Sequence, residues 1–178
     1  MKINKNLEKN LKRLFLKSDY KMIDVSSKKD KARKALASGE IILNAKIIKL
    51  IKSKKMPKGD PLMISAIAGI NGAKKTSELI PLCHPLPLDH ISLYTEIDEK
   101  NCSVVVYCLV SAKSKTGVEM EALSGVNSAL LTIYDLSKII EPNLKIINIK
   151  LLIKSGGKTG VWINPDGISK KIKKILNL

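Results

Sequence analysis

The stretch ISLYTEIDEKNCSVVVYCLVSA, residues 91–112, sets two runs rich in β-branched and aromatic residues around the polar four DEKN. Runs of this kind flanking a short polar link read as a β-hairpin. Directly after it, VEMEALSGVNSALLTIYDLSKII (118–140) repeats its apolar residues at helical spacing. A long helix is therefore expected from Gly117 to about Ile140, opened by Thr116-x-x-Glu119 as a capping box and stopped before Pro142. The apolar run between Lys145 and Lys154 then reads as a final strand.

Upstream of the hairpin the pattern is mixed. Residues 22–25 read as a short strand. Residues 28–43 divide: KKDKARKALASG holds good helix formers, while Arg33, Ala35, Ala37 and Ile41 alternate as on a strand. Residues 44–51 suit a short helix. Asp60-Pro61 supplies a cap and a first-turn proline for a helix expected to run to about Leu79. Gly69 and Gly72 inside it signal close approach by a neighbour, and Pro81, Pro85 and Pro87 end it. Strand, helix, hairpin, helix, strand is the order of an α+β fold: an antiparallel or mixed sheet with helices packed on one face.

Flanking this body, residues 1–20 form a basic amphipathic extension, with Ile3, Leu7, Leu11 and Leu14 at helical spacing. Residues 161–178 form a basic tail carrying Ile172, Ile175 and Leu176, expected to be dispensable for turnover. With 44% hydrophobic residues in 178, the chain has enough apolar material for a proper core. No apolar run reaches membrane-spanning length, and no apolar block near the start resembles a secretory signal. Cys83, Cys102 and Cys108 make no CxxC pair. These features together predict a reduced, cytoplasmic setting without membrane partners.

The net charge of +16 raises nucleic acid as a partner. Yet only Arg13 and Arg33 among the 32 basic residues are arginine, and aromatic residues make up 3%. Arginine forks and aromatic stacking are what nucleic-acid surfaces favour, so no nucleic-acid partner is expected. An anionic small molecule uses such charge equally well.

KSGGKTG (154–160) and its near echo KSKTG (113–117) look like phosphate-cradling loops. Neither is a Walker loop: the first glycine of that pattern would fall on Leu152, and VWINPDG after the second loop is turn chemistry, not a helix start. Their backbone N–H groups and lysines remain suited to phosphate. A G-x-S-x-G nucleophile motif is missing, and adjacent Cys83-His84 in a chain of two histidines cannot grip one zinc ion together. No metal site is expected.

On the long helix, Glu121, Ser128 and Asp135 recur every seven residues, with Lys138 one turn beyond. Such a polar stripe is either a solvent-facing edge or the wall of a site, and Asp135–Lys138 is by itself an ordinary surface pair. Glu119 is read equally well as a capping-box partner, His84 as a hydrogen-bonded imidazole, and Lys58 of MPKGD as a solvated lysine.

Six segments decide among these readings. In order they are IDVSSK (23–28), PKGD (57–60), AGINGAKKTSELIPLCHPL (68–86), KTGVEMEAL (115–123), ALLTIYDLSK (129–138) and KSGGKTG (154–160). Together they resemble the cyclic pyranopterin monophosphate synthase family of molybdenum cofactor biosynthesis, over about residues 21–160. The resemblance implies a ferredoxin-like α+β fold and a homohexamer, a trimer of dimers with active sites at subunit interfaces. It implies a lyase that converts (8S)-3′,8-cyclo-7,8-dihydroguanosine 5′-triphosphate to cyclic pyranopterin monophosphate, releasing pyrophosphate. By matching position, Lys58, Asp135 and Lys138 are the expected catalytic residues. His84, Glu119, Met120 and Glu121 are expected around the pterin, Lys28, Arg33, Lys74 and Lys154 around the triphosphate, and Leu82 and Cys83 among the substrate-binding residues. No cofactor is implied, Mg²⁺ being compatible with the substrate but not required. One departure stands out: Ser114 occupies the place before Lys115 where the family usually has glycine.

Overall fold

The computed structural model of the chain describes residues 5–15, 20–157, 160–166, 168 and 172–174. Ile3, Lys158, Thr159, Ile175 and Leu176, and the side chain of Leu14, lie outside the described set. The elements are α1 (Lys5–Phe15), β1 (Lys31–Ile42), α2 (Ala45–Lys52), α3 (Pro61–Lys74), α4 (Thr76–Leu79), β2 (His90–Asp98), β3 (Ser103–Ser114), α5 (Glu119–Ser137), β4 (Lys145–Gly157) and β5 (Gly160–Ile163).

The ambiguous segment is a strand. Pairing on both sides, with β3 and β4, makes β1 the centre of the sheet, and that environment overrides the helix propensity of its lysines and alanines. Ala35, Ala37, Gly39 and Ile41 face the helices and are buried. Gly39 is needed there, because a Cβ would stand 2.7 Å from Leu130 and 2.8 Å from Val126 of α5. The residue 22–25 segment, expected as a strand, joins no sheet. Instead the Ile23 carbonyl is held by the His84 ring 2.8 Å away.

Of the two helix starts whose chemistry the sequence specifies, the Asp60 cap forms and the capping box does not. Asn44 caps α2 by accepting from Ile47 N at 2.9 Å, and Asp60 caps α3 by accepting from Leu62 N and Met63 N at 2.9 and 3.2 Å. The helix expected to reach Leu79 breaks at Lys75 into α3 and α4. The buried Thr76 hydroxyl donates to the Ala73 carbonyl at 2.9 Å across that break. The capping box does not form: α5 begins at Glu119 with the apolar Val118 as N-cap, no side chain caps it, and Glu119 pairs with Lys154.

The sheet order is β2-β3-β1-β4-β5, antiparallel throughout, which settles the antiparallel-or-mixed alternative. Taking β1, α3, β2, β3, α5 and β4 in chain order gives β-α-β-β-α-β with strand order 2-3-1-4, the ferredoxin-like arrangement. Both long helices lie on one face of the sheet, over a core built from Ile41, Val104, Val106, Val110, Val126, Leu130 and Ile133. α3 crosses α5 on small residues. A Cβ on Gly72 would run into the Ser128 side chain, and one on Gly69 would approach the Gly125 carbonyl to 3.0 Å. This crossing also explains the polar stripe. Ser128 faces α3 across Gly72 and Glu121 is buried, so only Asp135 of the three stands exposed.

The opposite face of the sheet carries a second cluster, Tyr107 and Leu152, on which Ile168 and Ile172 of the tail are buried. Tyr94 stacks on Tyr107 beside it, with ring centroids 5.9 Å apart. Among the described residues no helix is long and apolar enough to cross a membrane.

Candidate active site

The residues expected in the site fall into two groups at opposite ends of α5. Asp135, in its last turn, accepts from two lysines: Lys138 Nζ lies 2.7 Å from Oδ1 and Lys58 Nζ 3.2 Å from Oδ2. Lys138 follows from sequence spacing on the same helix, whereas Lys58 is delivered by the MPKGD turn ahead of α3. All three side chains are about half exposed. The hydrogen bond from Lys138, then that from Lys58, holds the Asp135 carboxyl below its usual range, and the same bond raises the Lys138 ammonium above its own. The result is a carboxylate clamped between two cations, with open solvent on one side.

The second group surrounds a pocket of about 550 Å³ at the other end of α5. Lys28, Leu82, Cys83, His84, Glu119, Met120 and Lys154 all line it. Lys154, at the end of β4, pairs with Glu119 at 3.2 Å. Both residues are partly exposed, so an anionic guest can exchange for the carboxylate. Glu121 does not line the pocket but lies behind it, buried to 3% exposure. Its Oε1 accepts from the Cys83 thiol at 3.7 Å, while its Oε2 is buried with no hydrogen-bond partner among the described residues. Burial pushes the Glu121 carboxyl above its ordinary range; burial and then the Glu121 charge push the Cys83 thiol upward. A buried carboxyl with an unoccupied acceptor next to a ligand-sized pocket is the expensive feature of this site, because unpaired buried polar atoms cost stability.

Arg33 and Lys74 stand differently from the other basic residues. The half-buried Arg33 guanidinium donates to three backbone carbonyls: Gly156 (2.5 Å), Lys115 (3.3 Å) and Ser114 (3.4 Å). It thus ties the KSKTG segment to the KSGGKTG segment. Lys74 is exposed in the last turn of α3, outside the pocket lining. The sequence reading passed over Ile23, Val25, Ile80 and Thr116, which also line the pocket. Apolar and hydroxyl wall residues carry no signal of their own in a sequence. Among the described residues no group of three or more His, Cys, Asp or Glu side chains is placed to hold a metal ion.

Distance separates the two groups. Asp135 lies fourteen residues beyond Glu121 on one helix, which is about 21 Å along its axis. A nucleotide seated against Glu119 and Met120 cannot also touch Asp135 of the same chain.

Known proteins with the same sequence pattern exist. The MoaC family model matches residues 22–157. A protein of Natranaerobius thermophilus named cyclic pyranopterin monophosphate synthase is 44% identical over 140 residues, 79% of this chain and 88% of its own length. Proteins of the same name from Syntrophomonas wolfei and Heliobacterium modesticaldum are 47% and 41% identical, over 79% and 84% of this chain and 89% and 94% of their own lengths. The matched span runs from the pocket-lining Ile23 through both halves of the site to the end of β4, and on that match this chain belongs to the MoaC family.

Proposed function

We propose that this chain is a cyclic pyranopterin monophosphate synthase. In this reading it converts 3′,8-cyclo-7,8-dihydroguanosine 5′-triphosphate to cyclic pyranopterin monophosphate and releases pyrophosphate, a step of molybdenum cofactor biosynthesis. The relatives named above bear that activity in their names. The observation that carries the reading is the division of labour along α5, with a carboxyl- and lysine-lined pocket at one end and a Lys–Asp–Lys cluster at the other.

The chemistry suits those groups. Opening a purine-derived ring and reclosing it as a pyranopterin moves protons on and off nitrogen and carbon. Closing the cyclic phosphate needs a sugar oxygen to attack the α-phosphorus as pyrophosphate departs. Lys138 and Lys58 are the proton-transfer candidates, and Asp135 orients both and stabilises their charged forms. Lys28 and Lys154 stabilise charge on the leaving pyrophosphate. Glu119 and Glu121 offer acceptors to guanine-type N–H groups. Ring opening, reclosure and phosphoryl transfer of this kind require no redox step, so no redox cofactor is proposed, and Mg²⁺ is compatible with the triphosphate without being called for.

The 21 Å gap supports an assembly in which one subunit's Lys58, Asp135 and Lys138 complete the pocket of another. α3 offers an exposed apolar flank for such packing, with Met63 66% and Ile67 59% exposed. A homohexamer built as a trimer of dimers, working in the cytoplasm, is the proposed form.

The test is pyrophosphate release from the cyclised nucleotide by the natural protein and by Lys58→Ala and Asp135→Ala. Release by the natural protein and loss of at least about a hundredfold in each variant is expected. Folded variants that turn over normally would remove the catalytic assignment. Mixing Lys58→Ala with His84→Ala protein should restore part of the activity if two chains share each site.

A further inference from the structure

Strand β5 lies beyond the residues that the family model matches, and it carries the chain's one tryptophan. In the β4–β5 pairing Trp162 stands directly across from Lys154. Directly opposed residues of an antiparallel pair project to the same face of the sheet. Lys154 reaches Glu119 of α5 on that face, so Trp162 is on the side of the helices and the pocket. Together with Leu151 and Val161 these two residues line a cleft of about 310 Å³. Lys154 also lines the 550 Å³ pocket and is thus the wall common to both spaces.

We propose that the Trp162–Lys154 cleft seats the terminal phosphates of the substrate and of the departing pyrophosphate, with Trp162 as a binding residue for the phosphate chain. The proposal rests on the functional reading above, extends its pocket by one subsite, and replaces, for Trp162, the expectation that residues 161–178 are dispensable for turnover.

The donor inventory decides the kind of guest. Among the described residues, the side-chain hydrogen-bonding groups that line the cleft are a tryptophan N–H and a lysine ammonium, both donors with no acceptor capacity. Among the described residues no carboxylate lines the cleft; Lys154 pairs with Glu119 on its pocket side. An acceptor-only anion fits such a set and an amine does not. When phosphate arrives, Lys154 exchanges the Glu119 carboxylate for a phosphate oxygen, which leaves Glu119 available to N–H groups in the pocket. Position is secured as well. Asn164, next after β5, donates from its backbone N–H to the Leu152 carbonyl at 2.8 Å and from its side chain to the Leu151 carbonyl at 2.7 Å. These bonds pin the far end of the strand, and Trp162 is 36% exposed, placed to meet a guest.

As the sole tryptophan, Trp162 reports on its own surroundings. The natural protein is titrated with inorganic tripolyphosphate and with pyrophosphate while tryptophan emission is followed. A saturable change is expected, weakened about tenfold or more in Lys154→Ala, as loss of a charge-assisted hydrogen bond implies. Steady-state turnover of Trp162→Ala should show KM raised about tenfold with the larger part of the effect on KM, and Trp162→Phe should fall between. Because Phe keeps the ring and the strand, it serves if the alanine variant folds poorly. Emission unmoved at millimolar tripolyphosphate, or a KM unchanged in both variants, overturns the subsite. A natural protein that binds tripolyphosphate at Trp162 but releases no pyrophosphate from the cyclised nucleotide overturns the enzymatic reading and leaves the subsite standing.

Discussion

Replacing Arg33 by lysine separates two roles that a basic residue near a polyphosphate can have. A phosphate ligand works through charge, which Lys keeps. A clamp works through the shape of its fork, which Lys loses. Arg33 is committed to Gly156 at 2.5 Å, and to Lys115 and Ser114 at 3.3 and 3.4 Å. The two longer bonds are weak, and the half-buried site lets water reach part of what is exposed. Hydrogen bonds from a charged donor contribute about 1.5–3 kcal/mol each; counting one strong bond and a fraction of two weak ones gives a loss of about 2–3 kcal/mol. For a chain of this length that is a fall in Tm of roughly 4–12 °C. The local backbone has little freedom to compensate. Gly156 sits at φ +91°, where a Cβ would run into the Ala32 carbonyl, so the strand end cannot relax toward a shorter side chain without strain. Thermal and urea unfolding of Arg33→Lys, at fixed protein concentration because assembly shifts the midpoint, reads the stability. Kinetics of pyrophosphate release read the site. The clamp predicts both a lower Tm and a raised KM, since Lys115 and Lys154 belong to the two segments it joins. A Tm within about 1 °C of the natural protein's would refute the clamp and return Arg33 to the role of phosphate ligand.

Two further substitutions probe the buried carboxyl and the helix crossing. Because burial raises the Glu121 carboxyl, the folded chain holds a proton there that the unfolded chain has already lost. Its contribution to stability is complete below the ordinary carboxyl range and disappears as pH rises through the folded value. Glu121→Gln should flatten that part of the decline in urea midpoints as pH rises above the ordinary carboxyl range. The same variant should speed alkylation of Cys83 at a given pH, since Glu121 is one cause of its raised thiol pKa, while Cys108, pushed up to about 12, stays inert. Unchanged alkylation would dissolve the coupling. Gly72→Ala forces a methyl group into Ser128 and towards the Ser124 carbonyl, 3.0 Å away. It should cost about 1–3 kcal/mol in chemical unfolding, and a neutral result would mean that the crossing of α3 and α5 is looser than its glycines imply.

What the sequence made legible was whatever is local. The hairpin of β2 and β3, the cap at Asp60, and the helical period of α5 depend on neighbours within a few residues, and each is where its pattern predicts. Residues 31–42 were undecided because Lys and Ala favour a helix while the alternation favours a strand. Only two flanking strands far away in the chain resolve the conflict. Glu119 illustrates the same limit. Its spacing from Thr116 is correct for a capping box, but the helix starts only at Glu119 with the apolar Val118 as N-cap, and Glu119 pairs with an ammonium on β4. The regular stripe of Glu121, Ser128 and Asp135 was real in spacing and misleading in meaning, because α3 covers its middle. Strand β5 escaped notice since four residues with turn chemistry after them become a strand only through pairing with β4.

The two lysine–threonine–glycine echoes show why function was easier to place than geometry. KSKTG closes β3 and KSGGKTG closes β4, and both strands flank β1, with Lys31 across from Ser114 and Lys34 across from Ser155. Antiparallel pairing to a common centre brings both segments to one end of the sheet, where Arg33 of that central strand ties them together. Two strand ends 43 residues apart in sequence are thereby brought to either side of β1, without a strand–loop–helix cradle. The same topology sends the C-terminal end of α5, with Asp135, to the far end of the molecule, about 21 Å away. A fold that gathers the phosphate-facing lysines so effectively at one end must part them from its Lys–Asp–Lys cluster. In the proposed assembly a second copy of the chain joins the two groups on one small substrate.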